Sequence, residues 1–260
     1  MTDLPLPLPH ALERSVVIRA QPTTVFRYFT DSGRFAAWWG AGSTIDPRPG
    51  GQVLIRYPNG VTVRGEVLEI VPTTRICFTY GYDANPLVPP GGSRVTITLH
   101  AHVEGTRLEL RHEFSNPEAR DQHRQGWGYQ LAVFANVVSA EAHANAQELV
   151  DRFFAAWSER DADRRLEELE AVTTPEVVFR DSFGATASRA ELSAHIAAAQ
   201  QHLGGSRLER QGGIRQCQGT ALADWTLRGA DGSASGAGSN VFDLGPDGRI
   251  TRIVGLWGGR

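Results

Sequence analysis

The sequence predicts an α+β protein with two hollow domains in series, and the order of its patterns carries that prediction. In the first half, four strand patterns follow one another between Gly65 and Phe114, and one long amphipathic helix pattern comes after them. In the second half, helix patterns come first and three strand patterns follow. A curved antiparallel sheet closed by helices forms a cup, and concave sites of this kind hold small molecules.

Composition sets wide limits. The chain has 260 residues, of which 41% are hydrophobic and 21% charged, enough for two ordinary soluble domains. A net charge of −3 offers no electrostatic argument for binding nucleic acid, and no apolar run is long enough for a membrane span. Residues 1–10 alternate Leu and Pro, which indicates an extended arm rather than a signal peptide. Cys77 and Cys217 are expected to be buried thiols, and the protein is expected to be cytoplasmic.

Several chemistries are excluded or disfavoured by residue types. The chain contains no lysine, so neither a Schiff-base lysine nor a phosphate-loop lysine is available. His100 and His102 place two imidazoles on one strand face, but the sequence offers no evident third ligand. We therefore expect neither a metal nor a cofactor.

The first half begins with short predicted elements. A strand covers residues 14–19, helical spacing covers 21–30 and 31–40, and a second strand covers 52–57. Asn59 and Gly60 form a hairpin turn into a strand at 61–71, with both turn residues expected at positive φ. The other strands cover 75–82, 93–103 and 106–114, and the closing helix runs from about 117 to 140.

Alternation assigns faces in this half. His112 shares its strand face with Leu110 and Phe114, while the opposite face is charged, so the imidazole points inward. His123 and Trp127 lie one helical turn apart, toward the sheet. The candidate ligand pocket is therefore lined by Trp38, Trp39, Phe78, Tyr80, His112, His123 and Trp127. An inward histidine is usually a satisfied core residue, and an inward tryptophan is more often core than ligand platform, so that alternative stays open.

Five motifs carry a family resemblance: RFAAWWG at 34–40, RPGG at 48–51, GEVLEI at 65–70, GTRL at 105–108 and HRQGW at 123–127. Together they resemble the Hsp90-ATPase-activator-homologue branch of the START/Bet v 1-like superfamily. The resemblance implies a helix-grip domain at 12–140. It implies no single activity, because relatives include cyclases, lipid binders and stress proteins.

The second half has its own order of elements. Residues 140–146 contain no Pro or Gly and predict a stiff connection. Helices are predicted at 146–157 and 164–170, followed by a strand at 176–181. A capping box from Ser188 to Glu191 opens a helix that ends near 203. Strands follow at 215–228, interrupted by Gly219, and at 236–244 and 250–257, with turns at Asp231-Gly232 and Asp247-Gly248.

Motifs AAW at 155–157, VVFRD at 177–181, DGRI at 247–250 and RIVGLW at 252–257 resemble the SnoaL-like branch of the nuclear-transport-factor-2 superfamily. The resemblance implies a cone-shaped NTF2-like domain at 146–260. Relatives include polyketide cyclases, ketosteroid isomerase, dehydratases and noncatalytic binders, and they often dimerise, so a homodimer is expected. Asp181 looks similar in position to the isomerase base and Asn240 to its acid. Phe153 stands where that enzyme has its tyrosine, which argues against isomerase chemistry of the same kind.

Strand alternation also indicates that Asp181 could act as a base and Asn240 as a hydrogen-bond donor. Asp181 falls on an apolar strand face, where the charged form is disfavoured, as suits a general base. Asn240, on a second apolar face, could hydrogen-bond an oxyanion, and His195 is a candidate for proton transfer. Phe153, Trp157, Trp225, Phe242 and Trp257 complete the candidate pocket. The alternatives are a turn role for Asp181 and core roles for the aromatic residues.

These observations predict a cofactor-independent cyclase, dehydratase or isomerase acting on a hydrophobic carbonyl compound such as a polyketide. The alternative is a noncatalytic protein that binds or carries a hydrophobic ligand. A third possibility, an Hsp90 co-chaperone, rests on a resemblance that extends only to the shared fold.

Overall fold

The computed structural model describes residues 7–258. The chain divides into two compact units between Ser139 and Ala140, and both contain helices and strands, so the α+β class is confirmed. Most of the predicted N-terminal arm lies outside the described residues; Pro7 to Pro9 have no regular structure, and His10 already belongs to a strand. In the part of the chain that is described, no helix is long and apolar enough to cross a membrane.

The first unit is a seven-stranded antiparallel sheet with the strand order β1-β7-β6-β5-β4-β3-β2. Strand β1 (His10–Ile18) precedes two short helices, α1 (Pro22–Arg27) and α2 (Ser32–Trp39). The other strands are β2 (Thr44–Ile45), β3 (Gln52–Arg56), β4 (Thr62–Val71), β5 (Arg75–Tyr82), β6 (Ser93–His102) and β7 (Gly105–Phe114). The long helix α3 (Pro117–Ala142) follows, close to its predicted bounds.

Helix α2 shows how the local sequence brings two tryptophans to the cup. The Asp31 carboxylate accepts the backbone N–H of Arg34 and caps the start of the helix. Gly40 ends it at a φ of 137°, and a Cβ there would lie 2.3 Å from the carbonyl oxygen of Arg56. Trp38 and Trp39 at the end of the helix are therefore buried against the sheet.

The second unit has a six-stranded sheet in the order β10-β11-β12-β13-β8-β9. Its elements are α4 (Ala146–Ala156), α5 (Ala162–Val172), β8 (Thr173–Arg180), β9 (Ala185–Thr186), α6 (Arg189–His202), β10 (Arg207–Cys217), β11 (Thr220–Arg228), β12 (Ala234–Leu244) and β13 (Ile250–Trp257). Only the pair β13 and β8 is parallel among the described pairings. This parallel pair brings Asp181, just after β8, beside Gly255 of β13.

The predicted strand at 215–228 was wrong. It is two strands of a hairpin, β10 and β11, joined by Gln218 and Gly219, which both have positive φ. Strand β10 begins at Arg207, eight residues before the predicted start. The prediction missed these residues because Gly212 and Gly213 lie in a bulge that interrupts the alternation of the strand. Cys77 is buried as predicted, but Cys217 is exposed, since it ends the edge strand β10.

Two other local predictions were only partly right. At the first hairpin, Gly60 has a φ of 87° but Asn59 does not have positive φ, and the N–H of Gly60 bonds the carbonyl of Tyr57. Pro58 explains this, since its ring fixes φ near −65° and favours a type I turn closed by glycine. The connection at 140–146 is helical only to Ala142, and the buried His143 then bonds the carbonyl of Gly245.

Candidate functional site

Asp181 lies where β8 ends and a tight turn begins. Its Oδ1 accepts the backbone N–H groups of Phe183 at 2.8 Å and Gly184 at 2.9 Å. The side chain is only 4% exposed. The turn role foreseen as an alternative is therefore present, but it occupies one carboxylate oxygen and leaves Oδ2 for another partner.

His195 of helix α6 faces that second oxygen. Its Nε2 lies 3.7 Å from Asp181 Oδ2 and is buried without a hydrogen-bond partner among the described residues. Gly184 makes room for the ring, because a Cβ there would lie 2.9 Å from its Nδ1. The helix itself is placed by the predicted capping box, in which Ser188 accepts the N–H of Glu191. The carboxylate of Asp181 and the imidazole of His195 are therefore neighbours, with only a small exposed fraction of each side chain.

Asn240 lies two strands away from Asp181, in β12. Its Oδ1 accepts the indole N–H of Trp225 at 2.9 Å, which fixes the amide orientation and leaves Nδ2 as the free donor. Gly255 in β13 is paired with Asn240, and a Cβ there would lie 3.2 Å from Asp181 Cβ and 3.4 Å from Asn240 Oδ1. The absent side chain keeps the space between the two polar residues open. Sequence reasoning missed Gly255, although an isolated glycine within a strand pattern is a signal for such a close approach.

Two adjoining cavities meet at Asp181. The larger has a volume of about 410 Å³ and is lined by Trp157, Asp181, Phe183, His195, Ala198, Ala199, His202, Leu203 and Trp257. The smaller has about 20 Å³, which is room for about one water molecule, and its lining includes Asn240, Trp225 and Gly255. Asp181 borders both cavities, His195 the larger and Asn240 the smaller.

The remaining predicted pocket residues of this domain divide into two groups. Trp157, Trp225 and Trp257 line the cavities, and the indole N–H of Trp157 is buried without a partner in the described chain. Phe153 and Phe242 lie fully in the core with ring centroids 5.4 Å apart, and they line neither cavity. Their inward direction was predicted, but the two rings pack against each other and against Phe154 in the core.

The first domain has a separate cavity of about 170 Å³ between the sheet and α3. Of the predicted pocket residues, Trp39, Tyr80, His123 and Trp127 line it. Trp38, Phe78 and His112 are instead buried core residues that do not line this cavity. Sequence reasoning missed Tyr57 as a lining residue, whereas Tyr82 could have been found from the face that it shares with Tyr80.

His112 is a fully bonded core histidine. Trp127 Nε1 donates to its Nδ1 at 2.9 Å, and its Nε2 lies 2.8 Å from the Ser93 hydroxyl. That hydroxyl donates to the Tyr80 carbonyl at 2.7 Å, so His112 Nε2 is the donor and the ring is neutral. Burial, and secondarily the nearby His123, hold the pKa of His112 well below its ordinary value.

This lowered pKa predicts a loss of stability in acid. In the unfolded chain His112 takes up a proton near its ordinary pKa of 6.5, whereas in the folded protein it stays neutral. The free energy of unfolding therefore falls as pH drops below 6.5. His112→Gln keeps one acceptor and one donor without titrating. Urea unfolding between pH 7 and 5 should show a pH slope smaller than that of the wild type by up to about 1.4 kcal/mol per pH unit, the value for one proton.

Val95→Ala, a buried core position paired with His112 in the sheet, removes no titrating group; it serves as the control for this pH series and should lower the stability without changing the slope. His123, whose pKa is lowered chiefly by burial, still titrates in both variants, so a remaining slope is expected. An identical slope in His112→Gln and the wild type would contradict the assignment.

Two family models match the chain in succession. Residues 19–139 match the model of the activator of Hsp90 ATPase homolog 1-like protein, and residues 150–253 match the SnoaL-like domain. The chain therefore carries an AHSA1-like domain followed by a SnoaL-like domain. Both resemblances read from the sequence are confirmed.

Solved structures resemble one domain or the other. An AHSA1-like protein from Rhizobium etli is 30% identical, with 53% of this chain and 86% of that chain covered and a TM-score of 0.41. A SnoaL-like family protein from Agrobacterium tumefaciens is 25% identical, with 46% and 99% covered and a TM-score of 0.42. CalU16 from Micromonospora echinospora is 24% identical, with 53% and 80% covered and a TM-score of 0.40. A search of curated proteins finds no match.

Proposed function

We propose that the second domain is a cofactor-independent enzyme that abstracts a proton α to the carbonyl of a hydrophobic, polyketide-like compound. One observation carries the proposal. Asp181 keeps one carboxylate oxygen free of the turn, 3.7 Å from the buried, unpartnered Nε2 of His195, at the wall of a largely apolar cavity. A buried polar atom without a partner, such as His195 Nε2, costs stability, and this one calls for a role.

Each polar group has a distinct part in the proposed mechanism. Asp181 Oδ2 takes the proton, and the electrons of the broken C–H bond pass to the carbonyl oxygen as an enolate. Asn240 Nδ2 donates to that oxygen, for which the small cavity of about 20 Å³ has room. His195 then relays a proton to or from Asp181. Cyclisation, dehydration and isomerisation differ in what the enolate does next.

The cavity supports the proposed substrate class. Its volume of about 410 Å³ lies within the usual range for small-molecule pockets, and its lining is mainly aromatic and aliphatic. Holding a flexible substrate in one reactive shape would supply part of the rate enhancement.

The proposal is tested by deuterium exchange. Proton NMR in D₂O follows exchange at the α-carbon of 2-tetralone, 1-indanone and a linear β-diketone. The wild-type protein should accelerate exchange of at least one ketone above the buffer rate. Asn240→Leu should reduce that acceleration by about 10²–10³-fold, as for the loss of one oxyanion donor. A wild-type protein that exchanges none of the three above buffer would contradict the proposal.

Noncatalytic binding of a hydrophobic ligand is the second candidate. It is favoured because both proposed catalytic side chains already make structural hydrogen bonds. Asp181 Oδ1 accepts a backbone N–H of the turn, and Asn240 Oδ1 accepts the indole N–H of Trp225. Native mass spectrometry of freshly purified protein would reveal a ligand that copurifies. This candidate would be favoured by two results together. Substitutions of Asp181, His195 and Asn240 would leave the exchange rate unchanged, and Trp225→Ala would lose affinity for the ligand.

Three expectations about organisation remain proposals. They are the domain ranges 12–140 and 146–260, a homodimer and a cytoplasmic location. An Aha1 protein from Colwellia psychrerythraea, 14% identical to this chain, is described as a dimer. Limited proteolysis and light scattering on the full chain would measure the first two.

A further inference from the structure

A continuous chain of side-chain hydrogen bonds runs along the wall of the first-domain cavity. Tyr57 Oη lies 3.0 Å from Tyr80 Oη, which donates to Tyr82 Oη at 3.1 Å. Tyr82 Oη lies 3.0 Å from His123 Nε2, and His123 Nδ1 lies 2.7 Å from the carbonyl oxygen of Ala119. We call Tyr57, Tyr80, Tyr82 and His123 the tyrosine relay.

The backbone end of the relay sets the direction of every bond in it. A carbonyl oxygen only accepts, so His123 Nδ1 carries the proton, and in the neutral ring Nε2 accepts from Tyr82. A phenol has a single proton, so Tyr82 must accept from Tyr80, and Tyr80 must accept from Tyr57. Burial lowers the pKa of His123 and raises those of the three tyrosines, so all four groups are neutral near pH 7.

Tyr57 is therefore the accepting end of the relay. Its one proton is committed to Tyr80, and no described residue donates a hydrogen bond to its hydroxyl oxygen. Tyr57 lines the cavity together with the other members of the relay. At Tyr57 the wall thus offers a ligand an acceptor rather than a donor.

Size and lining restrict the ligand further. A cavity of about 150 Å³ holds a benzene molecule, and this one has about 170 Å³. Trp39 and Trp127 meet edge to face at 5.6 Å on its wall, and Tyr129, 72% exposed, lies at its rim. The space suits one aromatic ring that enters from the side of Tyr129.

We propose that the first-domain cavity binds a single-ring aromatic compound that carries a hydrogen-bond donor, such as a phenol, and that the ligand donates to Tyr57 Oη. A ligand that only accepts would require Tyr57 to withdraw its proton from Tyr80. That withdrawal leaves the buried Tyr80 oxygen one hydrogen bond short. This binding site is independent of the function proposed for the second domain.

The test compares 4-fluorophenol with 4-fluoroanisole, which lacks the donor, by ¹⁹F NMR titration of the full-length protein. The wild-type protein should bind the phenol about three to ten times more tightly, as for one neutral hydrogen bond. Tyr57→Phe keeps the ring against Trp39 but removes the acceptor, so the preference should disappear.

Two further variants separate the relay from general packing. Tyr82→Phe frees Tyr80 to donate to Tyr57, which turns Tyr57 into a donor and should shift preference toward the anisole. Phe183→Ala, at the cavity of the second domain, should leave the preference as it is. The proposal is overturned if 4-fluorophenol does not bind, if the two ligands bind equally to the wild type, or if Tyr57→Phe keeps the preference.

Discussion

Asp181→Asn is expected to slow the exchange of an α-proton by about 10²–10⁴-fold, the usual contribution of a positioned general base. An asparagine keeps the Oδ1 acceptor for the N–H groups of Phe183 and Gly184, so the turn after β8 should persist. The substitution replaces Oδ2, the oxygen that faces His195, with an amide nitrogen that does not take up a proton. The substitution should therefore impair the proposed catalysis without loss of the local structure.

The chain offers a matched control for this variant. Asp231 also accepts a backbone N–H within a turn, from Ser233, but lies on the surface away from both second-domain cavities. Asp231→Asn should leave the exchange rate of the ketone unchanged. Circular dichroism of both variants should match the wild type. If Asp181→Asn exchanges the ketone as fast as the wild type, Asp181 is not the base.

Gly65→Ala is expected to lower the free energy of unfolding by about 3 kcal/mol or more, at the upper end for overpacking. A Cβ at Gly65 in β4 would lie 1.7 Å from the carbonyl oxygen of Thr79 and 2.7 Å from its carbonyl carbon in β5. Both are backbone atoms, so relief requires the two strands to separate. The strain falls on β5, which also carries Tyr80 and Tyr82 of the first-domain cavity.

Gly128→Ala is the control for Gly65→Ala. Gly128 lies inside α3, and nothing comes within 4 Å of a Cβ placed there. This substitution should stabilise the protein by about 0.5–1 kcal/mol, because alanine loses less backbone entropy in a helix. Urea unfolding of both variants gives the comparison. A Gly65→Ala protein within about 0.5 kcal/mol of the wild type would show that the strands accommodate the methyl group.

Faces were more predictable than contacts. Alternation correctly turned His112 inward, and helical spacing correctly turned Trp127 toward the sheet. The bond between the two rings, which makes His112 a core residue rather than a cavity residue, joins β7 to α3. No pattern within one element contains that information. The same limit explains Phe153 and Phe242, whose inward direction was right although they line no cavity.

The amino-acid sequence by itself determined the α+β class, the resemblance of each domain, most elements and the inward faces, because motifs, alternation and helical spacing depend on a few neighbouring residues. Only the tertiary structure decided which polar groups meet. Asp181, at the end of β8, lies beside His195 of α6, and Tyr57 is linked to His123 by hydrogen bonds through Tyr80 and Tyr82. These meetings depend on strand register and on helices packed against the sheet, which link residues distant in the chain.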